Sequence, residues 1–274
     1  MKFGIHIANF GPAADPRVLA GLAADAEAVG WDGFFVWDHI LGDAEWRTPM
    51  VESGIALAAI ASATERIRLG ALVTAVPRRR PWQLARETAT LDVLSGGRLV
   101  VGVGLGNPAE AEFEHFGERG DARHRAELLD EGLALLDGLW SGQPFTFDGD
   151  HFRLKETVFL PTPIQRPRPP VWVAAHGDSP RPLRRAARWD GVFPEDPSGE
   201  RLAPETVKQR LAYIAQHRQA ATPFDCVLAG ASADLPDGEL ARYESIGVTW
   251  WLESIWPNVE LSEVRSRIAA GPPS

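Results

Sequence analysis

The chain has 274 residues, with 28 Lys and Arg against 37 Asp and Glu, and a formal charge of −9. That acidic balance excludes broad binding to nucleic acid or to an anionic membrane surface, both of which need a basic face. A single cysteine, Cys226, excludes a disulfide framework and a thiolate metal cage, and no apolar run approaches the ~20 residues of a membrane span.

The opening MKFGIHIANFG carries one lysine and then strand-like alternation, unlike a signal peptide, so a cytoplasmic protein is expected. Phe3–Ala8 reads as the first strand. Asp15-Pro16 opens a helix with Val18, Leu19, Leu22, Ala26 and Val29 on its apolar side, and Gly30 closes it. Gly33–Trp37, Ile67–Thr74 and Leu99–Val103 read as the next strands, with helices starting at Thr48-Pro49, Arg80-Pro81 and Asn107-Pro108. Proline suits a first helical turn because its missing donor would be unpaired there anyway. Arg125–Trp140 is a long amphipathic helix burying Leu128, Leu129, Leu133, Leu136 and Leu139. Val171–Ala175, Gly191–Pro194, Phe224–Ala229 and Val248–Glu253 are four more strands, with helix starts at Ser179-Pro180 and Ala203-Pro204.

Strand–helix alternation with near-continuous apolar strands predicts a (β/α)8 barrel over residues 1–270, with an open doubly wound sheet as the competing fold. One interruption, Phe145–Leu154 around Asp148-Gly149-Asp150, reads as a hairpin and is followed by the proline-rich Pro161–Pro170. This is an insertion at 145–170 after the fourth helix, and 271–274 is expected to be a disordered tail. Two echoes, Gly30–Phe35 and Arg188–Phe193, lie where helices turn into strands. At that end of a barrel conventional logic places stability and not chemistry, and the same holds for Ser95-Gly96-Gly97-Arg98.

Chemistry belongs at the carboxyl-terminal strand tips. The second strand ends in Trp37-Asp38-His39, whose carboxylate and imidazole can hold a proton or orient a substrate, or can simply cap and pack. A metal centre fails on ligand count: His6, His39 and His176 lie at tips, while His115, His124, His151 and His217 fall on helices or the hairpin. After the fourth strand, Gly102–Pro108 permits close approach of a flat ligand to the backbone, and Asn107 caps a helix. After the fifth, Ala174–Pro180 reads either as an anion site at a helix start or as a capped turn, with Asp178 a competing charge. Arg78-Arg79-Arg80 is either an anchor for an anionic tail or a solvated face. Cys226 is a small core hydrophobe. Ten tryptophans, among them Trp37, Trp46, Trp82, Trp251 and Trp256, suit either an aromatic-lined mouth or the core.

Five stretches resemble the luciferase-like monooxygenase superfamily of flavin- and deazaflavin-dependent oxidoreductases. They are AEAVGWDGFFVWDHI, TERIRLGALVT, PRRRPWQLARETATLDVLSGGRLVVGVGLG, RAELLDEGLALLDGLWSGQPFTFDGDHF and PVWVAAHG…AARWDGVFP, in order from about residue 26 to residue 194. The resemblance implies a luciferase-type (β/α)8 TIM barrel, with the insertion helping to shape the mouth. It implies the Asp-His pair of members that use coenzyme F-420 at Asp38-His39, with His39 as general acid/base oriented by Asp38. It also implies a bulge at Ala71-Leu72-Val73, with a non-proline cis peptide at Leu72–Val73 propping the cofactor ring, and a phosphate site at Ala175-His176-Gly177.

His6, Gly104, Gly106, Asn107 and Asp178 complete the implied cofactor contacts, and no metal is expected. Sugar-phosphate dehydrogenase relatives place a glutamate where this chain has Asn107, so their substrate and acid/base pairing do not transfer. The expected activity is hydride transfer between F-420 and a small organic substrate, with Arg78–Arg80 suiting the coenzyme's polyglutamate tail. The alternative is an FMN-dependent monooxygenase supplied by a separate reductase. A non-catalytic flavin-binding protein and a metal-dependent hydrolase are the outside readings, and a homodimer is implied.

Overall fold

Eight parallel staves close around an aromatic plug, in a computed structural model that describes residues 1–42, 47–177, 179–196 and 198–273. The strands are β1 (Lys2–Ile7), β2 (Gly33–Val36), β3 (Arg68–Ala71), β4 (Thr74–Ala75), β5 (Val101–Gly104), β8 (Val171–His176), β9 (Gly191–Glu195), β10 (Asp225–Gly230) and β11 (Trp250–Ile255). Around the barrel they run β3, β2, β1, β11, β10, β9, β8, β5, and the short β4 continues β3 and pairs with β5. The barrel therefore replaces the doubly wound alternative. The helices are α1 (Pro16–Ala28), α2 (Ser53–Ala63), α3 (Pro81–Leu94), α4 (Ala109–Glu112), α5 (Ala122–Trp140), α6 (Pro180–Ala186), α7 (Pro204–His217), α8 (Glu239–Ser245) and α9 (Leu261–Ala269).

The seam between β3 and β5 is closed by a single parallel bridge, Leu69 to Leu99, with Val100 N donating to the Leu69 carbonyl at 2.8 Å. Two glycines make that approach possible. A Cβ on Gly70 would lie 2.1 Å from the Val100 carbonyl oxygen, and one on Gly102 would lie 2.3 Å from that of Ala71. Leu99 serves this seam, so the fourth stave pairs with β8 only from Val101. The expected third strand over 67–74 is likewise split into β3 and β4 by Leu72–Val73, whose peptide bond is cis.

Alternation along each stave sorts side chains into two layers. Phe35, Leu72, Val100, Trp172, Phe193, Val227, Trp250 and Leu252 fill the interior. The Trp172 ring lies 5.4 Å from that of Trp250, and the Phe35 ring also lies 5.4 Å from Trp172. Lys2 caps the bottom of this plug, its Nζ 5.2 Å from the Trp250 ring. The alternate positions, such as Ile5, Phe34, Val173 and Cys226, pack outward against the helices. Leu129, Leu133, Leu136 and Leu139 are the buried stripe of α5, whereas Leu128 is only half-buried.

Capping follows the sequence at most starts. Asp15 accepts from Arg17 N at the head of α1, and Ser179 does the same for Arg181 N in α6. Two expected starts are corrected. Thr48-Pro49 opens no helix; α2 begins at Ser53, where the Glu52 carboxylate accepts from Ile55 N. Asn107 does not cap α4: the Asn107–Pro108 bond is cis, and Pro108 itself stands at the cap without a side-chain acceptor. Tail residues Gly271–Pro273 are half-buried and follow α9, with Gly271 N bonded to the Ile268 carbonyl.

The insertion forms a two-stranded antiparallel hairpin, β6 (Phe145–Asp148) and β7 (Arg153–Thr157). It packs against the outer faces of α5 and α3. Glu131 of α5 accepts from the backbone N–H of Asp150, His151 and Phe152, and Phe152 packs edge-on against Trp82 of α3. The proline-rich return passes beneath the barrel, where buried Asp92 accepts from Ile164 N and Gln165 N.

The two echoes prove to be one device used twice. Asp32 accepts from Phe3 N at 2.9 Å through its carboxylate, while its own N–H donates to the Phe3 carbonyl and its carbonyl accepts from Arg68 N. Asp190 repeats all three bonds with Val171 and Asp225, again at 2.9 Å from its carboxylate to Val171 N. Each aspartate thus pins three successive stave ends at the bottom of the barrel. Replacing Asp190 with alanine is expected to lower unfolding free energy by about 1–3 kcal/mol, read from urea denaturation, because a charged acceptor and the Arg168 ion pair are both lost. A change under ~0.5 kcal/mol, the scale of an ordinary surface substitution, would contradict the pinning role.

Candidate active site at the strand tips

The tip of β2 is organised by a buried knot of charge. Arg78 and Arg79 follow β4 in a single 3-10 turn (Val76–Arg78), which aims both guanidinium groups back across the tip of β2. Arg78 pairs with Asp38 at 3.1 Å and with Glu112, and Arg79 pairs with Asp38 at 2.7 Å. Ser53 Oγ donates to Asp38 at 2.7 Å, and Ala75 N donates to its other oxygen at 3.3 Å. Burial alone would raise the Asp38 carboxyl, but the Arg79 and Arg78 cations and the Ser53 hydroxyl outweigh it and hold it below the usual carboxylate range. These contacts overturn the reading of Arg78 and Arg79 as free anchors for an anionic tail. Arg80 alone stays exposed, as the residue before α3.

Glu112, which the sequence reading did not single out, is the centre of the second half of the knot. Its carboxylate is 1% exposed and accepts from the backbone N–H of Ile40, Leu41 and Gly42 at 2.7–3.3 Å. It also lies 3.1 Å from His39 Nδ1. The imidazole is therefore oriented by Glu112 and not by Asp38, whose oxygens are taken by arginines and Ser53. Glu112 lies five residues beyond Asn107. Its signal, one acid in the AEAEFE run, is indistinguishable in sequence from the solvated Glu110 and Glu114 beside it.

Burial, reinforced by the Arg78 cation and opposed by Asp38, lowers His39 to about 4. The ring is neutral near pH 7, with Nδ1–H donating to Glu112 and Nε2 left with a lone pair. Nε2 has no hydrogen-bond partner among the described residues. Asn9 fixes the backbone at this point, donating to the His39 carbonyl at 3.0 Å and to the Val51 carbonyl at 2.7 Å.

Above the plug the interior narrows to His6, Trp37 and the bulge. His6 Nε2 donates to the Leu72 carbonyl at 3.0 Å, and burial lowers its pKa to about 4 despite that bond. Its ring packs 5.6 Å from both Trp37 and Phe193. Trp37 also meets Phe10, His39 and Trp256, and its buried Nε1–H has no hydrogen-bond acceptor among the described residues. Exposed Ile40, Phe116 and Trp256 stand on three different loops at this end.

The remaining expected contacts divide. Ala71, Leu72 and Val73 form the bulge as expected. At Gly104 and Gly106 the protein's own packing requires that a side chain be absent: a Cβ on Gly104 would meet Val73 Cγ2 at 2.6 Å, and one on Gly106 would meet Ala75 and Phe113 at 2.9 Å. These glycines admit the protein's own bulge and loop. Ala175 packs outward with the core, so Ala174 and His176 are the residues of β8 on the interior face. Gly177 N donates to the Glu195 carbonyl at 3.3 Å, and Arg181 N is capped by Ser179, so two amides of the expected phosphate site are already engaged. Asp178 and Trp46 lie outside the described residues.

Sequence reasoning also missed Glu195. It ends β9 two residues beyond interior Phe193, in register with His176, and burial raises its carboxyl to about 7. In the strand order β9 stands four staves from β2, so Glu195 and His39 arise on opposite walls of the mouth.

Comparison with known proteins agrees with the barrel fold. The sequence model of the luciferase-like monooxygenases matches residues 1–233. An uncharacterized protein of Mycobacterium tuberculosis is 29% identical over 247 residues, 83% of this chain and 81% of its own length. An F-420-dependent glucose-6-phosphate dehydrogenase of Beutenbergia cavernae is 34% identical over 204 residues, covering 72% of this chain and 58% of that protein. An F-420-dependent secondary alcohol dehydrogenase, solved with an F-420–acetone adduct, superposes with a TM-score of 0.80 at 18% identity, covering 99% of this chain and 98% of that one.

Two outcomes test the site's electrostatics. Replacing Glu112 with glutamine removes one partner of a buried ion pair and is expected to cost about 3–5 kcal/mol of stability by chemical denaturation. For Glu195 the folded pKa lies above the unfolded one, so its stabilising contribution is complete below about 4.5 and is lost as pH rises through about 7. Glu195→Gln should therefore gain melting temperature relative to the parent between pH 5 and pH 8. A difference that stays constant across that window would show an ordinary carboxyl.

Proposed function

The chain belongs to the luciferase-like monooxygenase family, and from that premise we propose that it is an oxidoreductase using the deazaflavin coenzyme F-420 with a small, predominantly apolar organic substrate. The observation that carries this reading is the neutral His39, tied through Nδ1 to Glu112 at the tip of β2.

The residues at this end suit a flat ring system. Trp37 offers an N–H that lacks a hydrogen-bond partner among the described residues, and the Leu72 carbonyl of the bulge is held by His6. Leu72, Val73 and His6 would support the ring, with His176 and Gly177 on the side toward its phosphoryl arm. When bound, the coenzyme supplies hydride exchange at C5 of its ring, chemistry that no side chain here provides.

The chain's own part is acid–base work and positioning. His39 Nε2 accepts the proton of a substrate hydroxyl in the oxidative direction, while the Glu112 carboxylate steadies the imidazolium that results. In the reductive direction the same nitrogen returns the proton to a carbonyl oxygen. Asp38 does not touch this proton; it holds Arg78 and Arg79, and through Arg78 it keeps Glu112 in place. Ile40, Phe116 and Trp256 give the rim an apolar surface that favours an uncharged substrate.

Flavin-dependent monooxygenases are also among the proteins this chain resembles, and FMN is the alternative cofactor. With Arg78 and Arg79 engaged in ion pairs, the preference for F-420 rests on the Asp38-His39 pair and on the dehydrogenases the chain resembles. Titrating the protein separately with F-420 and FMN, read by quenching of tryptophan fluorescence, should show the tighter binding for F-420. Micromolar binding of FMN with none of F-420 would replace this reading with the monooxygenase one. His39→Ala is expected to lower turnover roughly 10²–10⁴-fold while leaving cofactor affinity within a few-fold. Unchanged turnover would remove His39 from the chemistry.

A further inference from the structure

We propose that His124, Glu127 and His151 form a binding site for a divalent transition-metal ion, with zinc the best match, that clamps the β6–β7 hairpin onto α5. These three residues belong to α5 and the hairpin, and none of them takes part in the cofactor reading. The seven histidines looked too scattered for a metal centre along the chain, but folding brings two of them together across the insertion.

His124 and Glu127 are three residues apart near the start of α5 and so project from one face of the helix. His151 stands at the turn of the hairpin and reaches back to them. One ligand atom from each residue lies within 4.8 Å of the other two. His151 Nε2 and Glu127 Oε2 are 3.3 Å apart, and the two imidazole rings meet edge-on at 5.1 Å. Ligands to zinc sit at about 2.0–2.2 Å, so neighbouring donor atoms around it lie roughly 3.3–3.5 Å apart. The His151–Glu127 pair already has that spacing, and a small rotation of the half-buried His124 ring completes the triangle.

The chemistry of the set is selective. Two imidazoles and one carboxylate suit a borderline ion, whereas calcium and magnesium prefer oxygen alone. Three protein donors leave a fourth tetrahedral position for water. Asp121, which accepts from His124 N at the head of α5, places a further carboxylate beside the triangle. Arg123 binds the other oxygen of Glu127, Oε1 at 3.0 Å, and its side chain is 85% exposed, so it can move away without loss of packing.

The frame around the triangle is rigid before any ion arrives. Glu131, one turn beyond Glu127, accepts three backbone N–H groups from residues 150–152 and fixes where His151 stands. On the other side, Arg125 follows His124 and holds the Leu105 carbonyl at 3.2 Å together with that of Gly106. An ion here therefore braces the end of α5 that supports the β5 loop.

The test uses the untagged full chain, stripped with chelator and titrated with zinc chloride by calorimetry, with cobalt absorbance as a second probe. One equivalent of zinc should bind, and tetrahedral cobalt bands should appear. His124→Ala and His151→Ala should each weaken binding roughly tenfold to a hundredfold or more. His217→Ala, on the exposed end of α7, should change nothing. Glu127→Gln and His151→Asn give milder routes to the same loss if an alanine variant folds poorly. Absence of binding by the parent, or binding undiminished when both His124 and His151 are replaced, would overturn the site.

Discussion

The ion pairs joining Asp38 and Glu112 to Arg78 and Arg79 hold this end of the barrel in its working shape. Four charges are taken out of water there, which is costly unless every lone pair and proton finds a partner. Here they do. Asp38 meets two guanidinium groups, a hydroxyl and an amide, while Glu112 meets one guanidinium, three amides and an imidazole. The result ties the tip of β2, the turn after β4, the short α4 and the start of α2 to one another. No hydrophobic contact could specify the relative placement of four such short segments with the same directionality.

The state of His39 follows from that knot. A nearby guanidinium and a dry surrounding keep the imidazole uncharged, while the carboxylate at Nδ1 selects which nitrogen bears the hydrogen. Across the mouth, Glu195 is displaced in the opposite sense, toward neutrality as an acid. Two titratable groups on facing walls are thus each pushed toward the uncharged form. Exposed Ile40, Phe116 and Trp256 stand around them at this end.

The fold was legible because barrel staves announce themselves. Runs such as Val171–Ala175 and Gly33–Trp37 are apolar on both faces, and Pro16, Pro81, Pro180 and Pro204 mark helix starts by a purely local rule. The family resemblance located Leu72–Val73, which composition alone could not. What stayed hidden depended on three-dimensional meetings between distant residues. Glu112 looks like any surface acid until α4 turns it beneath residues 40–42, and Arg78-Arg79 looks solvated until the turn after β4 folds it over Asp38. The glycines after the fourth strand were only partly legible for a related reason: a missing side chain shows that something comes close, but not that it is the chain's own bulge and loop.

The paired aspartates at the foot of the barrel carry a different lesson. Asp32 serves staves one to three in chain order, and Asp190 serves the fifth to the seventh, so equivalent anchors stand half a revolution apart. A cylinder moored at two antipodal points on its base resists shear without help from its crown. Register is thereby settled at the base, so the knot at the opposite end is left to fix where the tip loops lie and not how the staves beneath them are aligned.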